Sequence, residues 1–379
     1  MIKRAGELIV RKILVVLFLL VSFPIQVFAA EKASDISVSA KAAVLYDPVC
    51  ESVVWGKNED LVLGMASTTK IMTAIVAMER YDLAATVEIR PEWCGIEGSS
   101  MYLTAGESLS VKDLLYGLLL ASGNDAATAL AGLYTGNQAD FVACMNEKAH
   151  ELGLQHTAFR NPSGLSEEGH HTTALELAKL AAYAMEQPLF AEIVSATQYT
   201  CGTRTLQNHN KLLQQIDACG VKTGYTKADG RCLVSAKEED GRMLIAVTLS
   251  APDDWNDHRI LYETGFSNLA HATPVEEGTI HTVPVVGGTE PTVSVYCADT
   301  YTLSVDRALE HTITVHIIGP RFVYQNEAKG GQPYGTVQVR CNNTILFEST
   351  LYYANSVESA DVKITFWQRF ANWLCCLLE

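Results

Sequence analysis

A serine, a lysine three residues later and two polar triplets far downstream are the residues of this chain best suited to chemistry. Ser67-Thr68-Thr69-Lys70 offers a hydroxyl and an amine; Ser122-Gly123-Asn124 and then Lys222-Thr223-Gly224 follow. Each string is short enough to arise by accident. Alone, Ser67 reads as a helix N-cap, the Ser122 triplet as a turn and Lys222 as the end of a surface strand. In this order they supply a nucleophile, a nearby base, a second polar cluster and a cation beside a glycine, where an anionic substrate could be clamped. Those parts suit serine acyl transfer in which lysine takes the place that histidine holds in the familiar triad. The base must then be a neutral amine. Partial burial of Lys70, with like charge from a cation such as Lys222, is what would lower its pKa.

These groups can meet only if a few elements carry them. A helix is predicted from Ser67, because Ile71, Met72, Ile75 and Met78 recur at helical spacing and make one face core. That geometry puts Lys70 one turn after Ser67 on the same side. Residues 114–120 and 126–133 read as two more helices, with Ser122-Gly123-Asn124 in the break between them. Segments 141–152 and 173–185 are amphipathic and flank the loop Asn161-Pro162-Ser163-Gly164-Leu165. Near the start, 42–46 and 52–55 read as strands about the turn Asp47-Pro48-Val49-Cys50. Lys222-Thr223-Gly224 opens a strand-rich stretch in which 231–236 and 243–250 form a hairpin, followed by a helix over 255–269. From 275 to 353 short β-prone runs (282–286, 292–296, 312–318, 336–340 and 344–351) predict a small all-β module, a sandwich without evident chemistry.

With 379 residues, 48% of them apolar, the chain is long enough for two domains. Lys3, Arg4, Arg11 and Lys12 precede an apolar run from Ile13 to Phe28, and Val27-Phe28-Ala29 offers cleavage-type side chains. This is the layout of a secretory signal peptide cut near Ala29 or Ala30; the alternative is an uncleaved membrane helix. The net charge is −15, and removing residues 1–29 takes four basic residues and one acidic one, leaving −18. So acidic a protein argues against nucleic acid as a partner. The ten cysteines include no Cys-x-x-Cys and the ten histidines no His-x-x-x-His, so no metal and no other cofactor is expected; disulfides remain open. At the other end Phe366, Trp367, Phe370, Trp373, Leu374, Leu377 and Leu378 make an apolar face opposite Lys363, Gln368, Arg369 and Asn372. That pattern suits an amphipathic helix lying on a membrane surface, or one docked on the β-module.

Beyond the three strings, several longer stretches resemble one family: Ala66-Ser67-Thr68-Thr69-Lys70-Ile71-Met72-Thr73, Ser122-Gly123-Asn124-Asp125-Ala126, Phe159-Arg160-Asn161-Pro162-Ser163-Gly164-Leu165, Thr172-Thr173-Ala174, Asn208-His209-Asn210-Lys211-Leu212-Leu213 and Lys222-Thr223-Gly224-Tyr225-Thr226. The chain resembles the low-molecular-mass penicillin-binding proteins that are serine-type D-Ala-D-Ala carboxypeptidases. The resemblance covers nearly everything after residue 29. It implies an α+β fold: a penicillin-binding/β-lactamase-like catalytic domain of helices around an antiparallel sheet in 30–272, a β-sandwich in 273–360 and an amphipathic anchor helix in 361–379, after a signal peptide in 1–29. It also implies removal of the terminal D-alanine from peptidoglycan stem peptides at the outer face of the bacterial cytoplasmic membrane, as part of cell-wall maturation. Carried over residue by residue, Ser67 attacks, Lys70 is the general base, and Ser122 and Asn124 relay protons and hold the substrate amide. Lys222 and Thr223 help bind the terminal carboxylate and tune Lys70, and Gly224 and Tyr225 complete the substrate-binding strand, with the backbone N–H groups of Ser67 and Tyr225 as oxyanion hole. β-Lactams should acylate Ser67.

One position departs from the family pattern. Members often carry an arginine just before the aromatic residue that opens the helix after the catalytic hairpin; here Asp253-Asp254-Trp255 stands there. An acid at that place should weaken carboxylate binding unless Arg231, Arg259 or Lys222 compensates. Three rival readings stay open: a β-lactamase, whose Glu-x-x-Leu-Asn loop is missing although Glu167, Glu168 and Glu176 lie nearby; a cross-link endopeptidase; and a non-catalytic wall-binding protein.

Overall fold

A computed structural model describes residues 36–307, 309–342, 344–359, 369–371 and 373. The signal peptide expected in 1–29 lies outside the described residues. So does most of 361–379, where 369–371 and 373 are helical. The sheet begins with β1 (Ala42–Asp47) and β2 (Ser52–Lys57), paired about a turn in which Asp47 Oδ1 accepts from the N–H of Val49 and Cys50 at 2.9 and 3.0 Å. Two small ribbons follow, β3 (Thr86–Glu88) with β4 (Ser108–Ser110) and β5 (Gln198–Cys201) with β6 (Arg204–Gln207). Then β7 (Gly220–Thr226), β8 (Gly230–Glu239) and β9 (Arg242–Leu249) complete a five-stranded antiparallel sheet in the order β2-β1-β9-β8-β7.

Residues of β1 alternate between two cores. Ala42, Val44 and Tyr46 face one apolar cluster, Ala43 and Leu45 another, so both faces of the sheet are covered. The second layer is the helix Asp254–Ser267, through Leu261 and Tyr262. The first holds the helices Lys70–Arg80, Val111–Leu119, Asn124–Thr135, Gln138–Glu151 and Ala174–Met185. Local chemistry sets their ends. Ser110 and Asp113 form a reciprocal capping box, Asn137 caps Gln138–Glu151 and Thr173 caps Ala174–Met185, and Gly136 takes the left-handed φ of 82° that closes Asn124–Thr135.

The segment after Ser67 departs from the expected helix in two ways. Residues Ala66–Thr69 form a 3-10 turn, and the α-helix starts only at Lys70. Nor does it bury one face alone: every residue from Lys70 to Ala77 is buried. Small residues (Thr73, Ala74, Ala77) fill the positions the apolar stripe leaves free, so other helices pack on all sides. The helix expected over 255–269 stops at Ser267, and Leu269 begins β10 (Leu269–Val275).

The C-terminal part is β-rich: β11 (Gly278–Val286), β12 (Thr292–Cys297), β13 (Tyr301–Asp306), β14 (Ile313–Ile318), β15 (Val323–Tyr324), β16 (Pro333–Cys341) and β17 (Thr344–Tyr353). Six of them form one sheet, β14-β16-β17-β12-β11-β15, while β10 pairs with β13. Val283, Val293, Val295, Val337, Val339 and Leu351 make its core. It meets the sheet domain through Cys50, Leu303, Val305 and Cys341, beside a buried Arg242–Asp47 ion pair. The eight described cysteines are unpaired.

Candidate active site

Ser67 sits in a backbone turn of unusual shape. Ala66 takes a left-handed φ of 46°, at a cost of roughly 1–3 kcal/mol for a non-glycine residue. The turn is held from outside: a Cβ on Gly164 would fall 1.9 Å from the Ala66 carbonyl oxygen, so only glycine lets the 161–165 loop lie against it. Asn161 Oδ1 folds that loop by accepting from the N–H of Ser163 and Gly164 at 3.2 and 2.8 Å. Thr73 Oγ1 donates to Pro162 O at 2.7 Å, pinning the loop to the central helix. Ser67 is half-buried and its hydroxyl caps no helix.

Lys70 is wholly buried behind it. Its Nζ lies 3.0 Å from Ser67 Oγ, 2.7 Å from Asn124 Oδ1 and 2.5 Å from Ser163 O. Asn124 Nδ2 donates to Glu97 O at 2.6 Å, which fixes Oδ1 toward the lysine. A neutral amine has two N–H bonds and one lone pair. Donating to Asn124 Oδ1 and Ser163 O leaves the lone pair facing the Ser67 hydroxyl. The electrostatics agree: burial first, then the Lys222 charge, hold the Lys70 pKa well below its ordinary value against a smaller opposing pull from Asp125.

The second pair lies beside the first. Lys222 Nζ donates to Ser122 Oγ at 3.0 Å and to Thr223 O at 2.9 Å, and burial lowers its pKa to about 7. Ser122 holds a left-handed φ of 57° in the break between helices, while the glycine beside it, Gly123, has an ordinary φ of −59°. Among the described residues no hydrogen bond joins the Ser122–Lys222 pair to the Ser67–Lys70 pair; they act on each other through charge. The edge strand β7 runs past the nucleophile so closely that a Cβ on Gly224 would lie 3.0 Å from Ser67 N and 3.1 Å from Thr68 N. Thr223 is half-buried and Tyr225 is exposed beside Gly224.

Three supporting sets of contacts were not legible in the sequence. Asp125 is buried and accepts from Ser100 Oγ at 2.5 Å and from the N–H of Met101 and Leu103 at 3.0 Å each, fixing the 97–103 loop that carries the Glu97 carbonyl. His170 Nδ1 accepts a hydrogen bond from Arg160 N–H (3.0 Å), so Nε2–H faces Thr69 Oγ1 at 2.7 Å; burial pushes its pKa down to about 4. Asp254 pairs with Arg231 Nε at 2.9 Å. Of the three acids weighed as a β-lactamase base, Glu176 accepts from His156 N–H and Thr157 Oγ1, Glu167 accepts from Asn161 Nδ2, and Glu168 is exposed.

Fold and site together define a penicillin-binding-type α+β catalytic domain followed by a β-rich C-terminal domain. Residues 27–253 match the D-alanyl-D-alanine carboxypeptidase family and residues 271–359 the C-terminal domain of penicillin-binding protein 5. The chain belongs to the D-alanyl-D-alanine carboxypeptidase family. It is 34% identical over 247 residues to the D-alanyl-D-alanine carboxypeptidase DacF of Bacillus subtilis, a match spanning 62% of this chain and 64% of that relative's length. Penicillin binding protein 5 of Haemophilus influenzae superposes with a TM-score of 0.64 at 25% identity, over 86% of this chain and 99% of that one. A Streptomyces DD-transpeptidase gives 0.59 at 29% identity, over 61% and 98%.

Proposed function

We propose that this protein is a serine-type D-Ala-D-Ala carboxypeptidase that removes the terminal D-alanine from peptidoglycan stem peptides. The observation that carries the reading is the set of contacts at Lys70 Nζ: two acceptors, and a serine hydroxyl at 3.0 Å on the remaining side. Lys70 takes the Ser67 proton as Oγ bonds to the carbonyl carbon between the two D-alanines. The N–H groups of Ser67 and Tyr225 receive the oxyanion, each donor contributing roughly 3 kcal/mol to the transition state. With the substrate lying between the two pairs, Ser122 relays the proton from Lys70 to the leaving amine as the C–N bond breaks, and D-alanine departs. Water, deprotonated by Lys70, then attacks the ester and restores Ser67. Asn124 holds the substrate amide as well as Lys70, and Thr223 and Gly224 line the strand on which the peptide lies.

A β-lactam presents the same carbonyl on a ring whose leaving nitrogen stays attached, so it acylates Ser67 and remains as a slow ester. Supporting an extracytoplasmic site of action are the basic-then-apolar start of the chain and the amphipathic pattern of 361–379. In this reading residues 1–29 export the protein, 30–272 act, 273–360 form the sandwich and 361–379 rest on the outer face of the cytoplasmic membrane. Hydrolysis of a stem pentapeptide tests the activity. Free D-alanine released by the wild type and not by Ser67→Ala is the expected result. Cleavage of cross-linked dimers with no release from the pentapeptide would replace the reading by an endopeptidase.

A further inference from the structure

A substrate that ends in a free carboxylate needs a cation at that end, and Lys222 is poorly placed to supply it alone. It is buried, it already donates to Ser122 Oγ and Thr223 O, and with a pKa of about 7 it is only partly charged at neutral pH. Arg259, a second candidate, is exposed and tied to Glu263 at 2.6 Å and Asn256 at 2.7 Å.

We propose that Arg231, positioned by Asp254, receives the terminal carboxylate of the substrate; this rests on the carboxypeptidase reading above. Arg231 lies opposite Tyr225 in the β7–β8 register, two places from the Thr223–Leu233 pair. Strand alternation puts Thr223, Tyr225 and Arg231 on one face of the hairpin, and Lys222 and Gly224 on the other. Thr223 is therefore a diagonal neighbour of Arg231, at a backbone spacing of about 7–8 Å that an arginine side chain readily covers.

The guanidinium is held at two places. The Asp254 carboxylate, only 2% exposed, accepts from Nε at 2.9 Å, and the Trp255 ring lies under the guanidinium carbon, 5.6 Å from its centroid. Among the described residues only Nε is hydrogen-bonded, so the edge formed by the two Nη groups stays open. That edge matches a carboxylate with two parallel N–H···O bonds. Asp254 occupies the opposite side of the fork, so a second carboxylate meets the Nη edge rather than the first acid. The position where the family pattern carries an arginine thus holds an acid that secures an arginine delivered by the neighbouring strand.

Matched peptides ending in D-Ala-D-Ala as the free acid and as the C-terminal amide test this. The readout is the ratio of kcat/KM for acid over amide, which a purely structural role would leave alone. The wild type should prefer the acid, and Arg231→Gln should lower the ratio about tenfold to a hundredfold. Arg231→Lys, which keeps charge and loses the fork, should fall between them. Placing the cation on the helix instead, with Arg231→Gln and Asp254→Arg together, should return part of the preference. Penicillin adducts measured by intact mass at long times show in each variant that the Ser67 site is folded. A wild-type ratio near one, or an unchanged ratio in Arg231→Gln that still forms the adduct, overturns the assignment to Arg231 alone. A wild type that neither forms the adduct nor releases D-alanine overturns the carboxypeptidase reading, and this assignment with it.

Discussion

Lys70 and Asn124 are joined by a 2.7 Å hydrogen bond from Nζ to Oδ1 whose sense is fixed, because Asn124 Nδ2 is committed to Glu97 O at 2.6 Å. The amide thereby orients the lysine lone pair without adding charge to it. Asn124→Asp keeps the shape and changes the charge. A carboxylate at this distance favours the ammonium form, so the Lys70 pKa rises and its fraction of free base at neutral pH falls. The acid limb of the penicillin acylation rate should move to higher pH, with a loss of roughly tenfold or more at pH 7. Asn124→Ala should slow acylation without that shift of the limb toward alkaline pH.

Lys222 acts on Lys70 in the opposite sense. Its charge is the second cause, after burial, of the low Lys70 pKa. Lys222→Gln removes that repulsion, so the Lys70 pKa should rise and acylation should need a higher pH to reach its plateau. Stopped-flow acylation across pH 5 to 10 reads this directly. An acid limb that stays in place would mean that the two amines are uncoupled.

Gly224 is constrained by position rather than by turn chemistry. A Cβ there meets the backbone nitrogens of Ser67 and Thr68 at 3.0 and 3.1 Å, and neither can rotate away as a side chain would. Gly224→Ala should push β7 back by a few tenths of an ångström. Acylation should fall by up to about a hundredfold through misplacement, with little change in Tm. A fall in Tm that matches the loss of activity would assign the glycine to folding instead.

Much of this site was legible because its parts lie in short strings whose order is informative. Helical spacing put Lys70 beside Ser67, and the hydrogen bonds join Ser67, Lys70 and Asn124 in one group and Ser122 and Lys222 in another. What stayed hidden depends on distant contacts. Lysines usually solvate their ammonium groups, so full burial of Lys70 and Lys222 shows only once the helices close around them. The Asp125 contacts to the 100–103 segment join parts of the chain more than twenty residues apart. Periodicity found the apolar stripe of Lys70–Arg80 but not the burial of its small residues. In the C-terminal part, β10, β13 and the two-residue β15 escaped, because β10 follows a helix by a single residue and β15 is too short for alternation to register.

His170 should make the fold acid-sensitive. Its pKa is about 4 when folded, against an ordinary value of 6.5. Between those two values the unfolded chain binds a proton that the folded one refuses. Stability is therefore fully present above pH 6.5 and falls as pH drops toward 4, by up to roughly 3 kcal/mol for this residue. His258, lowered to about 3 by burial, adds in the same direction. Denaturant unfolding at pH 7 and pH 4.5 should show a smaller loss on acidification in His170→Gln than in the wild type. Equal losses would remove His170 from the account.

The claim that Ser67 is a nucleophile served by Lys70 is tested most directly by intact mass after incubation with penicillin. The wild type should gain one penicillin, on the peptide that contains Ser67, and hold it long enough to be measured. Ser67→Ala should gain none, and Lys70→Met should gain it at least a hundredfold more slowly. An unmodified wild type, or an adduct that persists in Ser67→Ala, would contradict the account.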